Sequence, residues 1–381
     1  MTEKLFYQDS YIREFEANIL ECRKVPEGYR VVLDRTAFFP EGGGQYADIG
    51  WIDGIQILDA HEKEGIIYHT AKEPFLVGKH VYGKLDWDER FERMQQHTGE
   101  HIISGIVHGR FGYENVGFHL GSDYCTMDFN GPITREELAE IELEANRAVF
   151  RNLEVEVSYP SKVALESMEY RSKIEIEGQV RIVKVPGYDV CACCAPHVKR
   201  TGEIGMIKLV DMTNYKGGER ITMLAGFRAL KDYGIKEENT KAISALLCVK
   251  EYETAEAISH LKKEMTGLKS SNGTLRQKLL KYQAAEVPIE EEMTIVFDPG
   301  LSGNSPREFM NLLLDRGAVS CAVFAGDDQN GYRYVIGSRK EDVRPYSKKL
   351  NAAFNGRGGG KPEMVQGSVS GTEAAIRSEL L

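Results

Sequence analysis

The stretch Met94-Gln95-Gln96-His97-Thr98-Gly99-Glu100-His101-Ile102-Ile103 organises the chain. It lies in a segment, residues 88–109, where Phe91, Met94, Thr98, Ile102 and Ile106 recur at helical spacing. Asp86 or Asp88 can cap its start. His97 and His101 are four apart, so their imidazoles leave one helix face one turn apart. On that spacing alone, one core and one surface histidine is the more economical reading.

A second cluster shifts the balance. Residues 191–197 read Cys-Ala-Cys-Cys-Ala-Pro-His, after the strand-like run Val180 to Val185. Cys193 and His197 are again four apart. Two histidines from one element, with a cysteine and a histidine from another, make a four-ligand N/S set. Zinc accepts such a set at bond lengths of about 2.0–2.3 Å. Cys191 and Cys194 compete for the sulfur position. His108 shares the helix face but lies about 10 Å beyond His101 at 1.5 Å per residue, so it is read as structural.

Composition sets outer bounds. The chain has 381 residues, 42% hydrophobic and 28% charged, with room for two or three domains. No apolar run reaches the length of a membrane span, and Met1 to Tyr7 lacks the features of a signal peptide. Seven cysteines, grouped around 191–194, point to a reducing, cytoplasmic setting and to metal chemistry rather than disulfides. The net charge of −10 does not advertise nucleic-acid binding, yet local basic groups decide that question more than the sum.

Along the chain, the expected architecture is α+β and multidomain. Residues 1–87 read as a small N-terminal β-barrel domain, with Trp51-Ile52-Asp53-Gly54-Ile55 as a tight hairpin. Within it, Thr36-Ala37-Phe38-Phe39-Pro40-Glu41-Gly42-Gly43-Gly44-Gln45 carries three glycines that let backbone approach a ligand. It lacks the Gly-Lys-Ser/Thr ending of a phosphate loop. Residues 88–234 form the α/β zinc-site domain. Thr134 and Glu137 are spaced as a capping box there, and Lys216-Gly217-Gly218-Glu219-Arg220 links two strands. Residues 235–287 are helical. Ile258, Leu261, Met265, Leu268, Asn272, Leu275, Leu279 and Tyr282 step by three and four, a heptad seam that predicts a homodimer. A helical hairpin turning near Ser270 to Gly273 is the alternative. Residues 288–381 form a C-terminal α/β domain whose Arg357-Gly358-Gly359-Gly360-Lys361 reads as a glycine loop suited to phosphate or nucleic-acid backbone.

Taken together, the order of motifs is specific. The Gly-Gly-Gly-Gln segment, the His-xxx-His helix, the Cys-xxx-His followed by Thr201 to Gly205, and a basic glycine-rich C-terminal segment occur in sequence. The chain resembles the editing half of alanyl-tRNA synthetase, and most of all the free-standing alanyl-tRNA editing proteins of the AlaX type, in their long form with a C-terminal DHH-associated domain. No segment resembles the aminoacylation domain. The resemblance implies zinc on His97, His101, Cys193 and His197, and hydrolysis of the ester joining serine or glycine to tRNA for alanine. It implies that Thr36 and Gln45 shape the site. Where the family often has Gly-Gly-Thr between cysteine and histidine, this chain has Cys194-Ala195-Pro196.

Glu100, beside His101, is a candidate base, against a reading as a solvated helix residue. Thr36 is a candidate partner for a substrate hydroxyl. Gly42, Gly43, Gly44, Lys216, Arg220, Arg357, Gly358, Gly359, Gly360 and Lys361 are candidate tRNA contacts. The main alternative is a non-catalytic, zinc-containing tRNA-binding protein. A zinc peptidase is disfavoured because the helix carries His-Thr-Gly-Glu-His rather than His-Glu-x-x-His. A DHH phosphoesterase would need an Asp-His-His run that the sequence lacks.

Overall fold

The computed structural model describes residues 1–172 and 179–381. The chain forms two compact units, Met1–Ala242 and Ile243–Leu381, with mixed α and β structure in both.

In the first unit, strands Glu14–Val25, Gly28–Leu33, Ile66–Ala71, Ile55–Lys63, Gly50–Ile52 and His80–Leu85 pair in that order and close into a barrel. Alternation of apolar and polar residues fills it: Phe15, Ala17, Ile19, Val31, Leu33, Ile52, Ile57, Ile67, Val81 and Leu85 share one core. The Asp53-Gly54 dipeptide makes the expected hairpin turn, with φ of 47° and 82°.

The histidine helix spans Trp87–Phe111, capped by the Asp86 side chain on the Glu89 amide and ended by Gly112 at φ 71°. Met94 through Gly105 are buried on every face, so the helix runs through the interior. Its polar side chains must therefore find partners. Gln96 donates to the Ala225 carbonyl and accepts from the Ala225 amide. Gln95 donates to the Glu203 carbonyl. Arg90, fully buried, pairs with Asp48 and donates to the carbonyls of Ser10 (2.9 Å) and Ala37 (2.7 Å). Asp48 also accepts the Phe39 amide, so this ion pair fastens the helix to the Thr36–Gln45 segment.

A short parallel pairing of Glu3–Lys4 with Arg35–Thr36 lies beside two larger sheets in this unit. One has the strand order Ile207–Tyr215, Gly218–Ala225, Cys125–Phe129, Asn115–Leu120. The other runs Glu156–Ser158, Ile182–Val185, Asp189–Ala192. Helix Arg135–Arg151 opens on the Thr134/Glu137 capping box.

In the second unit, Thr254–Glu286 is one continuous helix, so the chain makes no hairpin at Ser270 to Gly273. Its heptad positions face solvent: Leu268 is 71% and Leu275 65% exposed. A five-stranded sheet follows, ordered Met293–Phe297, Ser320–Asp327, Gly331–Ser338, Met364–Val369, Arg357–Lys361. Arg357–Lys361 is thus an edge strand paired with Met364–Val369, not a loop. Its glycines have no strand propensity of their own; the partner strand holds them extended. Helix Ser305–Asp315 starts after Asn304 and carries Pro306 in its first turn. Among the described residues, no helix is long and apolar enough to cross a membrane.

Candidate metal centre

Four side chains meet between the histidine helix and the Cys/His loop. His97, His101, Cys193 and His197 each offer one ligand atom, and these atoms lie within 4.8 Å of one another. The Cys193 sulfur stands 3.5 Å from His97 Nε2 and 3.4 Å from His197 Nε2. Three histidines are 2% exposed, so the cluster is nearly sealed.

The loop is shaped by Arg181, which donates to the carbonyls of Cys193 (2.8 Å) and Ala195 (2.9 Å). Ala195 packs into the barrel core. Ser10 donates to the His197 carbonyl, and the Val198 amide donates to Thr98 Oγ1. The loop is therefore tied to both the barrel and the helix.

The hydrogen bonds fix which nitrogen of each ring faces the cluster. His97 Nδ1 lies 3.0 Å from Gln45 Oε1, and His101 Nδ1 lies 2.8 Å from Asp189 Oδ2. Both oxygens accept only. His197 Nδ1 lies 3.1 Å from Thr98 Oγ1, whose own hydrogen goes to the Met94 carbonyl. Each Nδ1 therefore carries a proton, and each Nε2 is left to face Cys193. Three Nε2 donors and one thiol, with every Nδ1 held from behind, is the donor arrangement of a transition-metal site such as zinc.

The electrostatics of the metal-free cluster agree. Burial penalises charge on His101, but the Cys191 and Cys193 sulfurs and the Asp189 carboxylate outweigh it and hold the ring well above its usual range. Burial opposes the Cys193 thiolate, yet the His97 and His197 rings and hydrogen bonds from His101 and His197 draw it well below the usual thiol range. Burial pushes His197 down to about 3, keeping that ring neutral. Metal binding at these donors would release protons.

The neighbouring cysteines have other surroundings. Cys191 groups with His101 and Asp189, and burial pushes its thiol up to about 11. The Cys194 sulfur lies 3.3 Å from where a Cβ on Gly43 would stand. His108 lies 2.9 Å from Glu114 on the helix's last turn.

The glycine turn lies beside the metal cluster. Gly43 and Gly44 have φ of 61° and 80°, and a Cβ on Gly44 would meet the Phe118 ring at 2.6 Å. Phe118 in turn packs on His97, with centroids 4.9 Å apart. Gln45 is 1% exposed and its Nε2 has no hydrogen-bond partner. Glu100 is buried, not solvated: its Oε1 accepts from Ser104 (2.7 Å) and Asn115 (2.6 Å), and its Oε2 lies 3.9 Å from His101 Nε2.

Thr36 lies on the short strand Arg35–Thr36, paired with Glu3–Lys4, and is fully buried against His69 of the barrel. His69 Nδ1 faces the Val31 carbonyl at 3.2 Å, so its Nε2 accepts from the Thr36 hydroxyl at 2.9 Å. Thr36 Oγ1 also accepts the Phe38 amide, which leaves one lone pair.

None of the basic candidates is among the four clustered side chains. Arg220 is bidentate to Asp128 (2.6 and 2.7 Å) and stacks 3.8 Å from the Tyr215 ring centroid. Lys216 sits at the tip of the same hairpin at φ 50°. Arg357 lines a groove of about 660 Å³ in the second unit, with Arg307 and Arg333. Gly359, Gly360 and Lys361 line an adjoining one of about 510 Å³. Sequence reading missed Asp189, Thr98, Phe118, Ser104 and Asn115. Asp189, four residues before Cys193, was the one with a local signal.

The chain is similar to synthetase-related proteins. Residues 180–223 match the model of the threonyl and alanyl tRNA synthetase second additional domain. Residues 5–89 match that of class II (A) tRNA synthetases. Over nearly its whole length, the chain resembles the free-standing alanyl-tRNA editing proteins. It is 29% identical to alanyl-tRNA editing protein AlaX-L of Pyrococcus horikoshii, over 97% of this chain and 95% of that one. It is 28% identical to alanyl-tRNA editing protein Aarsd1 of Rattus norvegicus, over 99% and 96%. Alanine–tRNA ligase of Pyrococcus abyssi is 30% identical over 99% of this chain, but only 43% of the ligase is covered.

Proposed function

We propose that this protein edits mischarged tRNA for alanine, hydrolysing the ester that joins serine or glycine to the terminal adenosine, at a zinc held by His97, His101, Cys193 and His197. The observation that carries the reading is the convergence of three Nε2 atoms on one thiol, in a chain similar end to end to alanyl-tRNA editing proteins. Bound zinc would position the substrate's polar groups as much as activate water, since four protein ligands leave an open position only if one dissociates or the coordination expands.

The chain's own residues do the rest. An aminoacyl ester is already activated, so positioning and charge stabilisation carry most of the barrier reduction. Gln45 holds His97 through Oε1 and has an unpartnered Nε2; that amide donates to the substrate. Glu100, oriented by Ser104 and Asn115, accepts a proton from the attacking water at Oε2. Thr36 reads the serine hydroxyl through its remaining lone pair, with His69 fixing its orientation. The triglycine turn, the Lys216–Arg220 hairpin and the Arg357–Lys361 strand contact tRNA, the last through phosphates.

The chain works in the cytoplasm as a homodimer through the exposed seam of residues 235–287. The four segments 1–87, 88–234, 235–287 and 288–381 act as barrel, editing domain, dimerisation helices and C-terminal tRNA module. The test is release of amino acid from seryl-, glycyl- and alanyl-tRNA for alanine. Hydrolysis of the first or second with the third spared is expected. Binding of all three without hydrolysis of any would favour the non-catalytic tRNA-binding reading. If Thr36→Val leaves the serine-to-alanine rate ratio unchanged, Thr36 has no part in discrimination.

A further inference from the structure

The three histidines of the metal cluster are not held alike. His197 is backed by a hydroxyl, Thr98 Oγ1, at 3.1 Å. His97 is backed by a neutral amide oxygen, Gln45 Oε1, at 3.0 Å. That amide belongs to the residue after an exposed triglycine turn, and its nitrogen end has no partner to fix it. His101 alone is backed by a carboxylate, Asp189 Oδ2, at 2.8 Å.

Asp189 is itself immobilised. Its side chain is 1% exposed, and Arg171 grips both carboxylate oxygens, Nε on Oδ1 at 2.7 Å and Nη2 on Oδ2 at 2.9 Å. The Arg171 backbone is locked to the same strand: its amide donates to the Val190 carbonyl and its carbonyl accepts from the Ala192 amide, both at 2.9 Å. The strand can come this close to the helix because residue 105, one turn past His101, is glycine. A carboxylate on Nδ1–H makes the opposite ring nitrogen a better donor, and a charge-assisted bond is roughly twice as strong as a neutral one.

We infer that His101 is the anchoring ligand of the metal site and that Asp189, clamped by Arg171, makes it so, with His97 and His197 the lesser ligands. Arg171 and Asp189 are positioning residues, acting on the metal only through His101. The inference takes the ligand set from the proposed function but does not depend on the ester substrate.

The experiment is zinc affinity of the full chain, measured by chelator competition without tRNA, for the wild type and for Asp189→Asn, Gln45→Leu and Thr98→Val. Asp189→Asn keeps the volume and a hydrogen-bond acceptor and removes the charge. It is expected to weaken zinc binding about 10- to 100-fold. Gln45→Leu and Thr98→Val are expected to cost several times less. Cobalt substitution gives a second readout: the visible ligand-field spectrum should shift most in Asp189→Asn. Arg171→Gln should weaken binding in the wild type and change nothing further in the Asp189→Asn background. Equal losses in the three single variants, or a larger loss in Gln45→Leu, would overturn the inference. So would an Arg171→Gln effect that persists without the Asp189 charge. Because no substrate is present, a failure to deacylate tRNA leaves this ordering intact, and a flat ordering leaves the deacylase reading intact.

Discussion

Gly105 and Tyr188 touch so closely that a Cβ on Gly105 would stand 2.2 Å from the Tyr188 carbonyl oxygen and 2.8 Å from the Asp189 Cβ. No side chain fits there without driving the strand Asp189–Ala192 away from the histidine helix. The glycine therefore belongs to the metal site, although it donates nothing to it.

Gly105→Ala is expected to destabilise the fold by about 1–3 kcal/mol through overpacking, and to weaken zinc binding by displacing Asp189 from His101. Gly109→Ala, on the same helix with nothing within 4 Å of its Cβ position, is the control. It should stabilise by up to about 1 kcal/mol. Denaturant melts and zinc titration of both variants check this; similar behaviour of the two would remove Gly105 from the account.

The buried Thr36–His69 pair makes stability depend on pH. Burial lowers the His69 pKa from 6.5 to about 4, so the folded chain keeps this ring neutral where the unfolded chain protonates it. The contribution is complete above pH 6.5 and is lost as pH falls toward 4, amounting to about 3 kcal/mol at 1.36 kcal/mol per unit. Unfolding free energies measured from pH 7.5 to 4 should fall more steeply for the wild type than for His69→Gln. Parallel curves would show that His69 is not the titrating group.

How much of this was legible in the sequence follows from what each feature depends on. The histidine helix could be read because its signals are local: a cap, a periodic stripe, and two donors one turn apart. The Cys/His loop could be read because its donors are adjacent in the chain. The Asp189–His101 contact could not, because it spans 88 residues and exists only where Gly105 admits a neighbouring strand. Arg357–Lys361 read as a loop because three glycines carry no strand signal; pairing with Met364–Val369 decides its shape. Glu100 read equally well as a solvated residue because its burial comes from Asn115 on another element. The burial of Thr36 against His69 likewise depends on a contact across 33 residues.

The helix Thr254–Glu286 leaves Leu261, Met265, Leu268, Leu275 and Leu279 about half exposed or more. A second copy of the seam would cover them, with Asn272 fixing the register. Sedimentation should give a dimer for the full chain and a monomer for Leu268→Glu/Leu275→Glu. A monomeric wild type at micromolar concentration would end the dimer proposal.

The proposed function joins two properties in one site: zinc binding by His97, His101, Cys193 and His197, and hydrolysis of mischarged tRNA. The most direct measurement is deacylation of seryl-tRNA for alanine by the wild type and by His101→Ala, with zinc content determined on both proteins. Stoichiometric zinc and rapid release of serine are expected for the wild type, with both lost together in His101→Ala. Undiminished deacylation by a zinc-free His101→Ala protein would contradict it.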